Sequence, residues 1–588
     1  MYPALLALVL HTASLLVAAQ LTLPSSPWQP PDISDGAKSS NESYPNSKWS
    51  TLLGEALYFY EAQRSGELPS NKRVPWRNSS ALDDGREARV DLAGGYYDAG
   101  DYSKQTFPLA FSLTSICWGA TDFGKGYDLA NQTAYLDDML RWGLDWLIKA
   151  HTNESTLWVL VASKDSDGSY WGGDRTIPIP RPVYQVNDTN PGTDVAAQTA
   201  AAFAACSNLY ANRALDNSTF STPASLKDDT YADTLLTHAQ QLYKFAVNAT
   251  GGRKVYQKSV PEVASAYASS DYGDELTMAA LFLSWATGDQ QLFLEAEGYW
   301  EQYKLAESNR VYNWDSKVPA LPVLFSQISK TQPNVGSNFS TWQRIAETYF
   351  DSIVNKKDSP AYMTGGGLLW FEGDSNSASL NPALNVAMLL RRFSPLTTSS
   401  EKKADYLAFA DSQFEYTLGK NPMSMPFIVG LNPNSPSKPH SAPAHGGNDV
   451  ETINTDPENN AYTIYGALVG GPDRWDRYFD IRNDWPQSEV ALDYNAPLLT
   501  LASMHTLSAT KDPYYVQLQE GAYLSVKPSG IPCDAVYPEG CRAPAMNKGA
   551  KIAMAVCLTV VSLVVFGLSG YYIFILIRNA KEGTEYTA

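Results

Sequence analysis

Asp98 and Asp101 stand three residues apart in GGYYDAGDYSK, residues 94–104. On a helical turn or at its entry, that spacing puts both carboxylates on one side. Gly94, Gly95 and Gly100 permit tight backbone around them. Two close carboxylates repel, so each needs a donor or must share a proton or a water. Water activation is the chemistry such a pair suits; a helix cap or half of a calcium site would use the same residues. A second acidic cluster, YFDIRNDWPQSEVALDYNAP at 478–497, carries Asp480, Asp484, Glu489 and Asp493 among Tyr478, Trp485 and Tyr494. Glu489 precedes Val490, Ala491 and Leu492. A carboxyl among apolar and aromatic neighbours has its pKa raised, as a general acid requires; the plainer reading is a solvated helix start. The third segment, GLNPNSPSKPHSAPAHGG at 430–447, sets His440 and His445 in a Pro/Gly/Ser loop. Neither Cys nor a second His pair supports a metal there. Histidines that hydrogen-bond sugar hydroxyls and two merely exposed histidines both fit.

The elements that must position these segments read as helices. Ser50 is placed to cap a helix in which Leu53, Ala56, Leu57 and Tyr60 share a face. Thr193 is placed to cap DVAAQTAAAFAACSNLY, whose small side chains allow close helix packing. Asp274–Thr287 stops at Gly288, and a run with Leu407, Ala410, Phe414 and Leu418 on one face stops at Gly419 and Pro422. Strand-like runs are few and short. Residues 20–48 form a Pro/Ser/Asn-rich lead-in and 513–551 a Pro/Gly-containing stalk. The roughly 460 residues between them hold no clear linker, which favours a repetitive or barrel architecture.

The chain has 588 residues, 44% of them hydrophobic and 12% aromatic, with a formal charge of −18. That apolar content excludes disorder, and an acidic chain makes a poor partner for nucleic acid or other polyanions. Five Cys do not build a disulfide scaffold. Residues 3–18 are apolar, with small residues before Gln20, which reads as a secretory signal peptide at 1–19. Ile552–Ile577 has no charged side chain and is long enough to span a bilayer. With the signal peptide, this predicts a single-pass type I protein whose main domain is extracellular or lumenal and whose tail, 578–588, is cytoplasmic. Sequons at Asn41, Asn78, Asn131, Asn153, Asn187, Asn217, Asn248 and Asn338 fit that route. An oxidising compartment favours a bridge between Cys533 and Cys541; Cys117 and Cys206, in apolar helical patterns, read as buried thiols.

Taken together, LLGEALYFYEAQRSGELP, GGYYDAGDYSKQTFPLAFS, RPVYQVNDTNPGTDVAAQTAAAFAACS, SSDYGDELTMAALFLSWATG, the NP…PH loop and DIRNDWPQSEVALDYNA resemble glycoside hydrolase family 9, the inverting endo-β-1,4-glucanases. The resemblance runs over roughly residues 48–508. It implies an all-α fold, an (α/α)6 barrel catalytic domain at 49–512, followed here by a C-terminal single transmembrane helix at 552–577. It further implies Asp101 as general base, Asp98 as holder of the attacking water, Glu489 as general acid and Asp480 as support for the site. His440 and Tyr494 fall on sugar-binding positions, and a Tyr ring suits stacking on a pyranose face. In an inverting enzyme the two carboxyls stand about 6.5–9.5 Å apart to admit water.

Some family members bind calcium through a Ser-x-x-x-Asp-Glu turn and a later Asp. Ser270, Asp271, Asp274 and Glu275 match that turn, and Asp315 the later ligand. Hard oxygen ligands suit calcium, while acids that simply begin a helix are an equal reading. The chemistry itself calls for no cofactor. The expected partners are a β-1,4-glucan and, through one helix, a membrane. The chain departs from the family where His440-Ser441-Ala442 replaces His-His-Arg, and Gln198 stands where Glu is common. No carbohydrate-binding module is evident, which favours soluble or amorphous chains over crystalline cellulose. Two other classes compete: a catalytically silent glucan-binding ectodomain, and another enzyme on the same barrel, such as a lyase. A lyase would need basic clusters for acidic sugars, and a silent binder would need neither an acid nor a base.

Overall fold

The computed structural model describes residues 20–40, 43–162, 170–215, 222–307, 311–356, 359–541 and 548–584. The signal-peptide reading and the sequons at Asn41 and Asn217 lie outside the described residues. The chain forms two compact units, residues 1–537 and 538–588.

Twelve helices of eleven residues or more build the first unit among the described residues: α1 Ser47–Ala62, α2 Thr106–Phe123, α3 Thr133–Ala150, α4 Thr193–Tyr210, α5 Asp229–Asn248, α6 Gly273–Thr287, α7 Gln290–Gln302, α8 Leu321–Thr331, α9 Phe339–Val354, α10 Leu380–Phe393, α11 Ser400–Thr417 and α12 Leu492–Ser508. The even-numbered helices pack side by side in a closed ring, α2–α4–α6–α8–α10–α12 and back to α2. The odd-numbered ones pack outside it, α1 on α12, α3 on α2, α5 on α4, and so on round. The sequence dictates which helix goes where. Every residue of α4 is buried, and its alanines let neighbours approach. On α3 and α5 apolar residues occupy one stripe and charges the other, the pattern of a helix with one face in water. This is the expected (α/α)6 barrel.

Helix ends show what local pattern missed. Asn46, not Ser50, caps α1: its Oδ1 accepts from the N–H groups of Lys48 and Trp49. Thr193 is the first residue of α4 rather than its cap, and its hydroxyl oxygen accepts from Lys254 N–H instead. The α6 stop at Gly288 is as predicted, with φ of 72°. Pro497 lies inside α12. Having no N–H, it leaves the Asp493 carbonyl without its helical donor, and Asn381 Nδ2 supplies one at 2.9 Å.

Two sequence readings are corrected. Cys117 of α2 and Cys206 of α4 are joined by a disulfide, with Cα atoms 5.0 Å apart. Local apolar patterns favour buried thiols at both positions, whereas ring closure brings the two inner helices together. Residues 513–537, read as the start of a stalk, belong to the first unit. Tyr515 and Tyr523 are buried there; Tyr523 donates to the Tyr478 carbonyl at 3.0 Å, and Asn432 Nδ2 to that of Tyr515 at 3.0 Å.

A small antiparallel sheet, β1 Lys104–Gln105, β2 Thr156–Val161 and β3 Val183–Asn187, follows the first acidic pair. A two-stranded hairpin, β4 Tyr362–Met363 and β5 Leu369–Trp370, precedes α10. In the second unit α13, Lys548–Thr584, contains a stretch, Ile552–Lys581, whose most apolar window has mean hydropathy 2.5 and no buried residue. It is long and apolar enough to cross a membrane. Of the described sequons, Asn131, Asn153, Asn248 and Asn338 are exposed, and Asn78 and Asn187 are half-buried.

Candidate active site

Three backbone hydrogen bonds bring the chemistry-bearing segments together. Leu492 N–H donates to the Asp98 carbonyl at 3.0 Å, Ala442 N–H to that of Gly100 at 2.7 Å, and His440 N–H to that of Ser488 at 2.9 Å. The Asp98–Asp101 loop, the histidine loop and the Glu489 segment are thus one structure, though some 390 residues of chain separate its ends. Gly100 is required here: a Cβ on it would lie 2.4 Å from the His440 carbonyl oxygen.

Asp98 is buried. Its Oδ2 accepts from Tyr267 O–H at 2.5 Å, while Oδ1 is buried with no hydrogen-bond partner among the described residues. Burial pushes its pKa well up; the Tyr267 hydroxyl pulls the other way, and the charges of Asp493, Asp101 and Glu489 add to the rise. Asp101 is half-buried, and its Oδ1 accepts from Ser103 N–H at 3.1 Å and Ser103 O–H at 3.0 Å. Two donors from Ser103 converge on one oxygen. Neighbouring carboxyls three residues apart are thus differentiated, one desolvated and one supplied with donors.

Glu489 is half-buried, follows the short helix Trp485–Ser488, and fixes its backbone through Gly470 N–H, which donates to its carbonyl at 2.9 Å. Its charge reaches both Asp98 and Tyr494. Asp493, one turn on, is buried and pushed up to about 7 by desolvation. Tyr494 shares a cavity of about 280 Å³ with Trp314, Asp315, Gly373, Asp374 and Asp493. Its hydroxyl is held well above the usual phenol range by burial and then by Asp493.

His440 Nδ1 lies 2.8 Å from the Arg482 carbonyl, which can only accept, so Nδ1 carries the proton and Nε2 is the acceptor of the neutral ring. Burial lowers its pKa to about 4, so the ring stays neutral near pH 7. Trp171 packs against it, ring centroids 4.6 Å apart, and donates to His445 Nδ1 at 2.6 Å. His445, also pushed down to about 4 by burial, therefore supports the tryptophan. Asp480 turns its carboxylate to the histidine loop: Ser437 N–H, Ser437 O–H and Lys438 N–H all donate to it. It holds a left-handed backbone, φ 54°, which Asp tolerates better than most side chains. This is a positioning role for the loop that carries His440.

The acidic group at the start of α6 brings together three of the five residues named for it. Ligand atoms of Asp271, Asp274 and Glu275 lie within 4.8 Å of one another. Lys317 competes for them: its Nζ donates to Glu275 Oε1 at 2.7 Å and its N–H to Asp274 Oδ2 at 2.5 Å. Ser270 and Asp315 meet each other instead, Ser270 N–H donating to Asp315 Oδ1 at 2.7 Å. Burial raises the pKa of Asp274, and that of Glu275 strongly, with the neighbouring acid adding to it. Glu275 Oε2 is buried without a hydrogen-bond partner among the described residues. A hard cation fits this oxygen set.

Tyr267, Ser103, Trp171 and Trp314 escaped sequence reasoning. Ser103 is legible two residues after Asp101. Tyr267 is 169 residues from Asp98, and nothing local marks it.

The fold and the acidic cluster define a helical-barrel glycosidase. The model of glycosyl hydrolase family 9 matches residues 49–502, and the chain belongs to that family. It is 34% identical over 480 residues to Endoglucanase 15 of Arabidopsis thaliana, covering 77% of this chain and 92% of that one. It is 35% identical over 465 residues to Endoglucanase A of Bacillus pumilus, covering 78% of this chain but 66% of the bacterial enzyme. In structure it matches the endoglucanase of the termite Nasutitermes takasagoensis with a TM-score of 0.69 at 34% identity, over 78% of this chain and 98% of that one. It also matches the cellulase Cel9M of C. cellulolyticum in complex with cellobiose, with a TM-score of 0.66 at 26% identity, over 78% and 98%. By family and by these relatives the chain falls among the endoglucanases.

Proposed function

We propose that this protein hydrolyses internal β-1,4-glucosidic bonds of a β-glucan with inversion at the anomeric carbon. The observation that supports this is the set of three backbone bonds, Leu492 to Asp98, Ala442 to Gly100 and His440 to Ser488, which ties together the segments carrying Asp98, Asp101, His440 and Glu489. Glu489, protonated, donates to the glycosidic oxygen as the bond to the anomeric carbon breaks. Asp101, oriented by Ser103, acts as the base and takes a proton from the water that attacks the opposite face. Asp98, oriented by Tyr267, steadies that water through its second oxygen. An inverting pair needs its carboxyls about 6.5–9.5 Å apart. His440 accepts from a sugar hydroxyl at Nε2, and Tyr494 and Trp314 offer ring faces to the pyranose. Asp480 acts through the histidine loop. The family's relatives bound to cellobiose, cellotriose and cellotetraose support this substrate class.

In the same reading, Asp271, Asp274 and Glu275 hold a calcium ion that stabilises the α6 start, with Ser270 and Asp315 bracing the turn; the ion takes no part in the chemistry. The signal peptide and α13 make the protein single-pass, with the barrel on the extracellular or lumenal side.

Full-length protein in detergent, incubated with carboxymethylcellulose and mixed-linkage glucan beside Glu489→Gln, tests the reading. Reducing ends from the parent alone, with α-anomers as the first NMR-visible product, support it. Equal activity in both proteins, or β-anomers first, rejects the assignment.

A further inference from the structure

Beyond the cleft, several large aromatic rings are left partly in water, among them Trp475, 45% exposed, and Tyr362, 40% exposed. Trp475 is not a loose surface ring. The Arg477 guanidinium lies over it at 4.6 Å, and Arg477 is itself fixed on Asp473 by two bonds of 2.9 and 2.7 Å. One ring face is thereby covered and held, and the exposed area belongs to the remainder of a ring that has little freedom to lose. Tyr362, on β4, comes within 3.4 Å of Glu372 Oε2 and 3.5 Å of Arg474 Nη2 at its hydroxyl. Asp476 ties the two loops: it accepts from Thr364 O–H and Gly366 N–H, each at 2.6 Å. Two aromatic surfaces, a guanidinium and a carboxylate are therefore mounted on one braced unit.

This unit is continuous with the cleft. Glu372 adjoins Gly373, which lines the cavity containing Tyr494 and Trp314. Gly470, whose N–H holds the Glu489 carbonyl, lies five residues before Trp475, a reach of at most about 17 Å.

We infer that Trp475 and Tyr362, with Arg474 and Glu372, form an outer platform that binds a β-linked glucan chain where it leaves the catalytic cleft. A β-linked glucose unit presents a flat apolar face, which stacks on an aromatic ring, and equatorial hydroxyls, which suit planar charged groups as hydrogen-bond partners. The platform adds contacts that a long chain makes and a short oligomer held in the cleft does not need, so it sets polymer affinity and leaves bond cleavage alone.

This rests on the glucanase reading, and the test separates the two. Trp475→Ala, Trp475→Phe and Tyr362→Ala are made in the full-length protein. Each is assayed on neutral mixed-linkage glucan and on cellotetraose. Trp475→Ala is expected to lower kcat/KM on the polymer about three- to tenfold through KM, with cellotetraose unchanged and Trp475→Phe recovering most of the loss. Unchanged polymer kinetics overturn the platform, and so do equal losses on both substrates. If the parent cuts neither substrate, the glucanase reading falls by itself, and affinity electrophoresis in neutral glucan decides the platform. Retardation of the parent that Trp475→Ala abolishes supports it; no retardation of the parent overturns it.

Discussion

Replacing Tyr267 with Phe removes one oxygen and leaves the ring, which packs edge-on against Trp314 at 4.9 Å. The oxygen is the hydrogen-bond donor to Asp98 Oδ2, and the other carboxylate oxygen has no partner among the described residues. A hydrogen bond to a charged group contributes about 1.5–3 kcal/mol. At about 1.4 kcal/mol per tenfold in rate, its loss lowers kcat about 10- to 150-fold if ionised Asp98 is needed to hold the water. The pH dependence follows with a definite sign. The Tyr267 bond lowers the Asp98 pKa against burial and three neighbouring carboxylates. Without it that pKa rises further, a smaller fraction of Asp98 is ionised at any given pH, and the acidic limb of kcat moves to higher pH. The assay is reducing-end release from mixed-linkage glucan between pH 4 and 8, with Tm of both proteins as a check on folding. A variant of unchanged Tm, with kcat within twofold of the parent and an unmoved acidic limb, would refute the argument. A rise in KM alone would place Tyr267 on the sugar rather than on Asp98.

Glu489→Gln and Asp101→Asn should each lower kcat by about 10²–10⁴-fold, with oligosaccharide affinity kept, as titration calorimetry on cellotetraose would report. Asp480→Ala should release the 437–438 turn and lower kcat/KM by loosening His440; limited proteolysis would then cut within residues 430–447, which the parent resists. Glu55 is buried on α1, and desolvation pushes it up to about 8 from 4.5. A pKa raised by folding gives stability that is complete below pH 4.5 and lost as pH rises through 8. Glu55→Gln should therefore remove an alkaline loss on the order of 4–5 kcal/mol, seen as a denaturation midpoint that falls less between pH 5 and 9. Cys117→Ala with Cys206→Ala should cost about 2–5 kcal/mol, since the bridge closes a long loop across 89 residues, and thermal unfolding would show it.

The candidate site was largely legible as residues and illegible as geometry. Asp98, Asp101 and Glu489 announce themselves through spacing and neighbours, and Gly100 through the tightness such a loop needs. Which carboxyl of the first pair loses water could not be read, because it depends on Tyr267 and Asp493 arriving from other helices. Asp480 is visible as an acid, but its task of holding the 437–438 turn depends on a contact across 43 residues. The five named residues of the acidic turn illustrate the same limit: a buried lysine, Lys317, meets two of them.

The periodicity, the alanine-rich α4, the Gly288 stop and the long apolar C-terminal run were determined by the sequence alone, because each rests on neighbours three or four residues away or on composition. The disulfide between Cys117 and Cys206, the packing of residues 513–537 on the barrel, and the joining of the three site segments were decided only by the tertiary structure. Those features depend on closing a ring of six helices, which sets residues hundreds of positions apart within hydrogen-bond reach, and no local pattern carries that distance.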